Sequence, residues 1–276
     1  MNELSNKVAV ITGAGSGFGR ELAILCAAEG MRLALADINE DGLKATLALL
    51  PAGIDALLQR VDVSKPESVE ALAEATYAKF GAAHLLFNNA GVAVAGPTWT
   101  TTLDEWNWVL GVNLMGVVHG VRSFVPRMLK QKDACHIVNT ASVAGLLSVP
   151  ASSIYCVSKH GVVTLSECLH HELTATRASI GVSVLCPAFV NTGIADSPAH
   201  RPAELAAANP LAAEYEERVR KAVRAGKLTA TDIARATMDA VKANRFYILT
   251  HNNIKPAIEM RMRDIVDGRA PTNPMP

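Results

Sequence analysis

K-V-A-V-I-T, Lys7–Thr12, runs directly into G-A-G-S-G-F-G, Gly13–Gly19. The first stretch is mostly apolar and β-branched, as a short buried strand is. The second holds four glycines in seven residues. Glu21–Glu29 then reads as a helix closed by Gly30. Strand, glycine turn and helix in that order are the context in which such a cluster binds phosphate. Small residues let the backbone approach a pyrophosphate, and the helix N-terminus offers free N–H groups and partial positive charge. The spacing is Thr12-Gly13-x-x-x-Gly17-x-Gly19 rather than G-x-G-x-x-G. The candidate phosphate-binding residues are Gly13, Ser16, Gly17, Phe18 and Gly19.

Outward from this unit the alternation repeats. Arg32–Asp37 is a second buried-type strand that ends in a carboxylate, near where an acidic residue holds the ribose hydroxyls of a dinucleotide. Asn39 or Asp41 serves as cap for the next helix, which leaves Asp37 for a ligand. Ala56–Val61 is a strand followed by Asp62-Val63, and Ser64-x-x-Glu67 reads as a capping box opening a helix to Phe80. His84–Phe87 leads into Asn88-Asn89-Ala90-Gly91. Thr102-x-x-Glu105 is a second capping box, and the helix after it carries Asn113. His136–Asn139, Val182–Leu185 and Phe246–Leu249 complete the strands, and a long helix runs to about Thr176. Strands spaced by helices imply an α/β chain with a single-domain, doubly wound parallel sheet over residues 1–276. In such sheets ligands sit beyond the carboxyl ends of the strands. Gly13, Asp37, Asp62, Asn89, Ser142 and Pro187 all follow strands, so they gather along one edge.

Composition narrows the function. Half of the residues are apolar, 19% are charged, and the formal net charge is zero with no basic block. That composition predicts a globular chain and makes nucleic acid or an acidic membrane surface an improbable partner. The start, M-N-E-L-S-N-K, lacks the apolar core of a signal peptide, and no apolar run approaches a membrane span. The five cysteines are scattered and form no C-x-x-C pair, which predicts buried fillers in a reducing cytoplasm and no metal site. His170-His171 point to different helix faces and read as structural.

Chemistry concentrates between Val138 and Val162. Tyr155 and Lys159 are four apart on the long helix and share a face, with Ser142 upstream at the end of an apolar run. An unperturbed tyrosine titrates near 10. A neighbouring ammonium favours the phenolate, so the pair is expected to exchange a proton near pH 7.

These residues together resemble the short-chain dehydrogenase/reductases of the ordinary type. Thr12-Gly13-x-x-x-Gly17-x-Gly19, Asn88-Asn89-Ala90-Gly91, Asn113, Ser142, Tyr155-x-x-x-Lys159 and Pro187…Thr192 occur in register over about residues 5–192, with a further helix and strand from Thr229 to Thr250. The resemblance implies a seven-stranded Rossmann fold that binds NAD or NADP. It makes Tyr155 the general acid or base, and Lys159 the holder of the nicotinamide ribose that lowers the tyrosine pKa. Ser142 then bonds the substrate oxygen, and Asn113 holds a water linking the lysine to solvent. Asp62, Val63 and Asn89 then pack on the adenine and ribose, Val190 and Thr192 hold the carboxamide, and Gly91 and Pro187 are further cofactor-binding candidates. Three features depart from the family's pattern: Pro187-Ala188 in place of Pro-Gly, Phe18 in place of an aliphatic, and the tail at 251–276.

The expected activity is hydride transfer between a secondary alcohol or ketone and the cofactor. A non-catalytic NAD-binding redox sensor is the alternative, and it would not need Ser142, Tyr155 and Lys159 together. Asp37, with no cation in the glycine turn before Gly19, predicts NAD(H) over NADP(H), and Arg20 and Arg32 are the residues that would oppose this. Between Thr192 and Leu228 three prolines precede a stripe of Leu211, Tyr215, Val219 and Ala222, predicting a substrate lid at about 193–226. Val94, Leu146 and Phe189, with Ala95, Leu147 and Val149, are the expected apolar pocket walls, and Arg201 and Arg218 read as solvated. They point to an uncharged, largely apolar substrate. Val117, Val118 and Val121 offer part of a face for a homodimer or homotetramer.

Overall fold

The structure, a computed structural model, describes residues 1, 3–194, 197, 201 and 210–275, without the side chains of 210 and 211. Seven parallel strands form one sheet in the order β3-β2-β1-β4-β5-β6-β7. They are β1 Val8–Thr12, β2 Arg32–Asp37, β3 Ala56–Arg60, β4 Leu85–Asn88, β5 Cys135–Thr140, β6 Ile180–Leu185 and β7 Tyr247–Ile248. The helices are α1 Gly17–Ala28, α2 Glu40–Leu47, α3 Pro66–Phe80, α4 Leu103–Leu110, α5 Gly116–Gln131, α6 Ser153–Ala175, α7 Pro210–Arg224, α8 Ala230–Lys242 and α9 Lys255–Val266. The chain reverses its direction across the sheet between β1 and β4, which is where such folds open a binding crevice.

β1 shows why the sheet is covered on both faces. All five of its residues are buried. Ala9 and Ile11 pack with α1 and α8 residues such as Leu22 and Ile233, while Val8 and Val10 pack with Leu72 of α3 and Phe124 of α5. Two-sided burial is what near-continuous apolar strands require of a parallel sheet.

Local differences from the sequence reading have physical causes. α1 starts at Gly17, four residues before the expected Glu21, because extended Ser16 ends the turn and the last glycines already form the first helical turn. The Ser64–Glu67 box does not form: Pro66 opens α3 after Lys65, and the Ser64 hydroxyl instead donates to Asp62 Oδ1 at 2.7 Å. The Thr102–Glu105 box does form, at 3.2 and 2.9 Å, and Asn39 caps α2 through Gly42 N at 3.0 Å. α4, a five-residue π-helical turn at Gly111–Met115 and α5 join into one helix, Leu103–Gln131. By length and composition it is the one helix among the described residues able to cross a membrane, an apolar run that no stretch of the bare sequence marked out. Half of its apolar window is buried inside the fold. On α7 the buried positions are Ala212 and Val223, whereas Tyr215, Val219 and Ala222 are half-buried.

Candidate active site

The glycine turn is built by close approach. A Cβ on Gly19 would overlap Gly13 O, and Gly13 holds φ 67°, so neither position takes a side chain without strain. Phe18 packs half-buried against the α1 core. Ser16 makes no side-chain cap bond, and the first helical N–H to close is that of Arg20, on Ser16 O at 3.1 Å. The N–H groups from Ser16 to Gly19 thus have no intrahelical partner, an arrangement that can take an anion.

Around the turn stand the ends of four strands. Asp37 Oδ2 accepts from Gly15 N at 2.8 Å and Oδ1 from Asn39 N at 2.9 Å. Arg60 of β3 lies in register with Asp37, a cation that the sequence reading missed because strand pairing is not written in local spacing. Asp62 holds Ser64, and Val63 is buried against Gly116 of α5. Asn89 donates to Thr12 O at 3.0 Å and accepts from Thr140 Oγ1 at 3.4 Å, pinning β4 to β1 at the switch point. Val190 is buried in the α1 cluster, and Thr192 Cβ lies 3.6 Å from where a Cβ on Gly17 would stand. The loop after β6 therefore covers the glycine turn.

The catalytic candidates converge at the ends of β5 and α6. Ser142 is 8% exposed, and its hydroxyl lies 3.3 Å from Pro187 O. Lys159 is buried, donates to Thr140 O at 2.8 Å and stands 5.6 Å from the centre of the Tyr155 ring. A Cβ on Gly91 would lie 3.6 Å from Lys159 Nζ and 3.4 Å from Asn113 Oδ1, so the three motifs meet at one point. Asn113 spends both amide hydrogens on Val92 O (2.9 Å) and Ser158 Oγ (3.1 Å), and accepts from Val92 N at 2.8 Å. Its side chain ties the loop after β4 to α6.

Electrostatics correct one expectation. Burial pushes Tyr155 up to about 12, with the Ser142 hydroxyl pulling the other way. Burial also pushes Lys159 down to about 8. The lysine shares a helix face with the tyrosine, but its ammonium is turned to the Thr140 carbonyl, so desolvation outweighs pairing.

The pocket walls divide. Phe189 is 38% exposed beside the site and Leu146 is half-buried, whereas Val94, Ala95 and Leu147 are buried. Val94 packs with Val109 and Ile154. Ala188 avoids a left-handed φ, and its N–H donates to His251 Nδ1 at 3.3 Å, so alanine is accommodated there. Arg201 is not solvated: its side chain is 8% exposed and pairs with Glu216 and, at 3.6 Å, with Glu105 of the α4 cap. Arg218 is exposed and pairs with Glu214 at 2.6 Å. Within the expected lid, residues 195, 196, 198–200 and 202–209 lie outside the described residues. The tail, whose path the sequence did not reveal, folds back through Asp264, which accepts from Thr272 N at 2.9 Å. Residues 271–273 then line a cavity of about 420 Å³ together with Val149, Ser153 and Cys156.

This geometry sets a Ser–Tyr–Lys cluster beyond the end of β5, beside the loop that follows β4, in a sheet of the dinucleotide-binding type. A family model described as short chain dehydrogenase matches residues 7–202, and the chain belongs to the short-chain dehydrogenase/reductase family. A CLA biosynthesis dehydrogenase/reductase of Lactiplantibacillus plantarum is 37% identical over 279 residues, 98% of this chain and 97% of its relative. A C alpha-dehydrogenase of Sphingobium sp. is 31% identical over 273 residues, 98% of this chain and 89% of the other. Among solved structures, a short chain dehydrogenase/reductase from Burkholderia phymatum in complex with NAD superposes with a TM-score of 0.97 at 50% identity, covering 100% of both chains.

Proposed function

We propose that the chain transfers a hydride between NAD(H) and an uncharged, largely apolar secondary alcohol or ketone, with Tyr155 as general acid/base. The observation that carries this reading is the convergence of Ser142, Tyr155 and Lys159 beside Gly91. The relative from Burkholderia phymatum, similar along its whole length, was solved with NAD. Bound nicotinamide supplies or accepts the hydride. Ser142 holds the substrate oxygen, and Tyr155 gives or takes its proton. A phenol pushed up to about 12 is protonated at neutral pH, ready to donate to a ketone. Lys159, near 8, remains mostly charged at pH 7 and favours the phenolate when the proton leaves.

The preference for NAD(H) over NADP(H) rests on Asp37 and on how the nearby cations are used. Arg20 is bound to Gly15 O and Thr46, and Arg32 turns to Asn6 O and Phe80 O at the far end of β2. Arg60, exposed on β3 in register with Asp37, is a cation at the same strand end that this preference must outweigh. The neutral substrate follows from Phe189 and Leu146 as walls and from Arg201 being paired with two carboxylates. Residues 193–226 act as the lid. The test is Tyr155→Phe: turnover at 340 nm with a ketone panel should fall by about 10²–10⁴-fold, while NADH fluorescence still reports binding. Activity within a few-fold of the unmodified chain would remove Tyr155 from the role.

A further inference from the structure

A turn that receives a pyrophosphate must keep its own carbonyl oxygens away from it. In the turn after β1 two side chains outside the glycine motif do this. Thr46, fully buried on α2, donates to Ala14 O at 2.8 Å and accepts from Arg20 Nε at 3.1 Å. Arg20 donates its Nη2 to Gly15 O. The amides of the same two residues are also engaged, Ala14 N with Ala36 O at 3.1 Å and Gly15 N with Asp37 Oδ2 at 2.8 Å. All four backbone polar groups of Ala14 and Gly15 are therefore satisfied by the protein itself, and the groups left open are the N–H donors from Ser16 onward. Each Asp37 oxygen has accepted one backbone N–H and keeps acceptor capacity for a ribose diol.

We infer that Arg20 and Thr46 are positioning residues for the adenosine half of the cofactor, an inference that rests on the NAD(H) reading above. Thr46 holds the Ala14 carbonyl and orients the Arg20 guanidinium. Arg20 fixes the Gly15 peptide, and that peptide fixes the Asp37 carboxylate. Without Arg20 the peptide is free to turn its oxygen toward the anion, and Asp37 loses its fixed hydrogen-bond donor. The rival role for Arg20 is direct capture of a 2′-phosphate, which its two existing partners oppose.

The test uses full-length Arg20→Met, Arg20→Lys and Thr46→Val, read by the Kd of NADH, NADPH, ADP-ribose and nicotinamide mononucleotide together with melting temperature. A partly buried charge-assisted hydrogen bond lost from the bracket should raise Kd for NADH and ADP-ribose together, by about tenfold in Arg20→Met. Nicotinamide mononucleotide binding and kcat at saturating NADH should stay within twofold. Arg20→Lys should recover part of the loss, and Arg20→Met combined with Thr46→Val should lose less than the sum because the two side chains share one network. An unchanged ADP-ribose Kd in Arg20→Met overturns the inference. So does a loss confined to NADPH, which makes Arg20 a phosphate ligand, or an equal loss for all four ligands with a collapsed melting temperature, which makes the bracket merely structural. If the unmodified chain binds no NADH, the cofactor reading itself falls, and this inference with it.

Discussion

Gly226 provides a sharp test of how the loop after β6 is held. It lies just beyond α7, against Phe189 and Val190. A Cβ there would overlap Phe189 O and stand 2.9 Å from the Phe189 carbonyl carbon and 3.0 Å from Val190 Cα. Carbon atoms rest at about 3.5–4.0 Å, so Gly226→Ala must separate two backbones by about 0.5–1 Å. The glycine's φ is outside the left-handed region, so alanine meets no conformational objection and the clash acts alone. One end of the loop cannot yield: Val143 N holds Pro187 O at 2.9 Å and His251 holds Ala188. The displacement falls on Phe189–Thr192, which covers the glycine turn.

Overpacking of this kind costs about 1–3 kcal/mol, which for a chain of this size lowers Tm by about 2–5 °C. Misplacing a reacting group by about 1 Å costs about 10²-fold in rate. Gly226→Ala should therefore reduce kcat by about 10–100-fold, with a smaller change in the Kd of NADH, because the glycine turn itself is untouched. Turnover at 340 nm, NADH fluorescence titration and a thermal melt on the same preparation measure all three. A kcat within twofold of the unmodified chain, with Tm within about 1 °C, would refute the claim that this loop is held by the Gly226 contact.

Further outcomes follow from other parts of the structure. Asp37→Ala should shift the kcat/KM ratio toward NADP(H) by about tenfold or more, and an unchanged ratio would hand the preference to another residue. His136 is buried against Ser183 and its pKa is pushed down to about 4 by desolvation, so it is neutral in the fold. Its contribution is present above the unfolded value near 6.5 and is lost as pH falls toward 4, about 3 kcal/mol in all; urea unfolding of His136→Gln should show a flatter slope between those values. Arg201→Met leaves buried Glu105 and partly buried Glu216 without their cation, which should lower stability by about 3 kcal/mol, read by urea unfolding. Light scattering at micromolar concentration should show a homodimer or homotetramer: Val117 is spent on the core, but Met115, Leu129 and Val157 remain exposed for a partner.

Much of what depended on short spacing was legible in the sequence. The glycine turn, Asp37 at the end of β2, and Tyr155 and Lys159 on one helix are set by local geometry, and the chain order of strands and helices implied the parallel sheet. Contacts between distant segments were not legible. Arg201 looked solvated because its neighbours are polar, yet Glu105, almost a hundred residues earlier, buries it. Arg60 is brought beside Asp37 only by the β2–β3 register. The role of Asn113 depends on a π-helical turn that no apolar periodicity marks, and the Ser64 cap failed because Asp62 competed for its hydroxyl.

The Tyr155–Lys159 pair shows the same division within a single site. Spacing correctly put both groups on one face, but the sign of each shift comes from burial, which spacing does not report. An isolated ammonium beside an isolated phenol would lower the phenol and raise itself. Here both are enclosed, so each is pushed toward its neutral form, to about 12 and about 8. At about 8 the ammonium, bonded to Thr140 O, is mostly protonated at pH 7, and at about 12 the buried phenol keeps its own proton. In the proposed reaction this neutral phenol, next to a charged lysine, would donate its proton to a developing alkoxide. Its conversion to a base needs further positive charge in the same enclosure, which the low dielectric there would make count for more than it would at the surface.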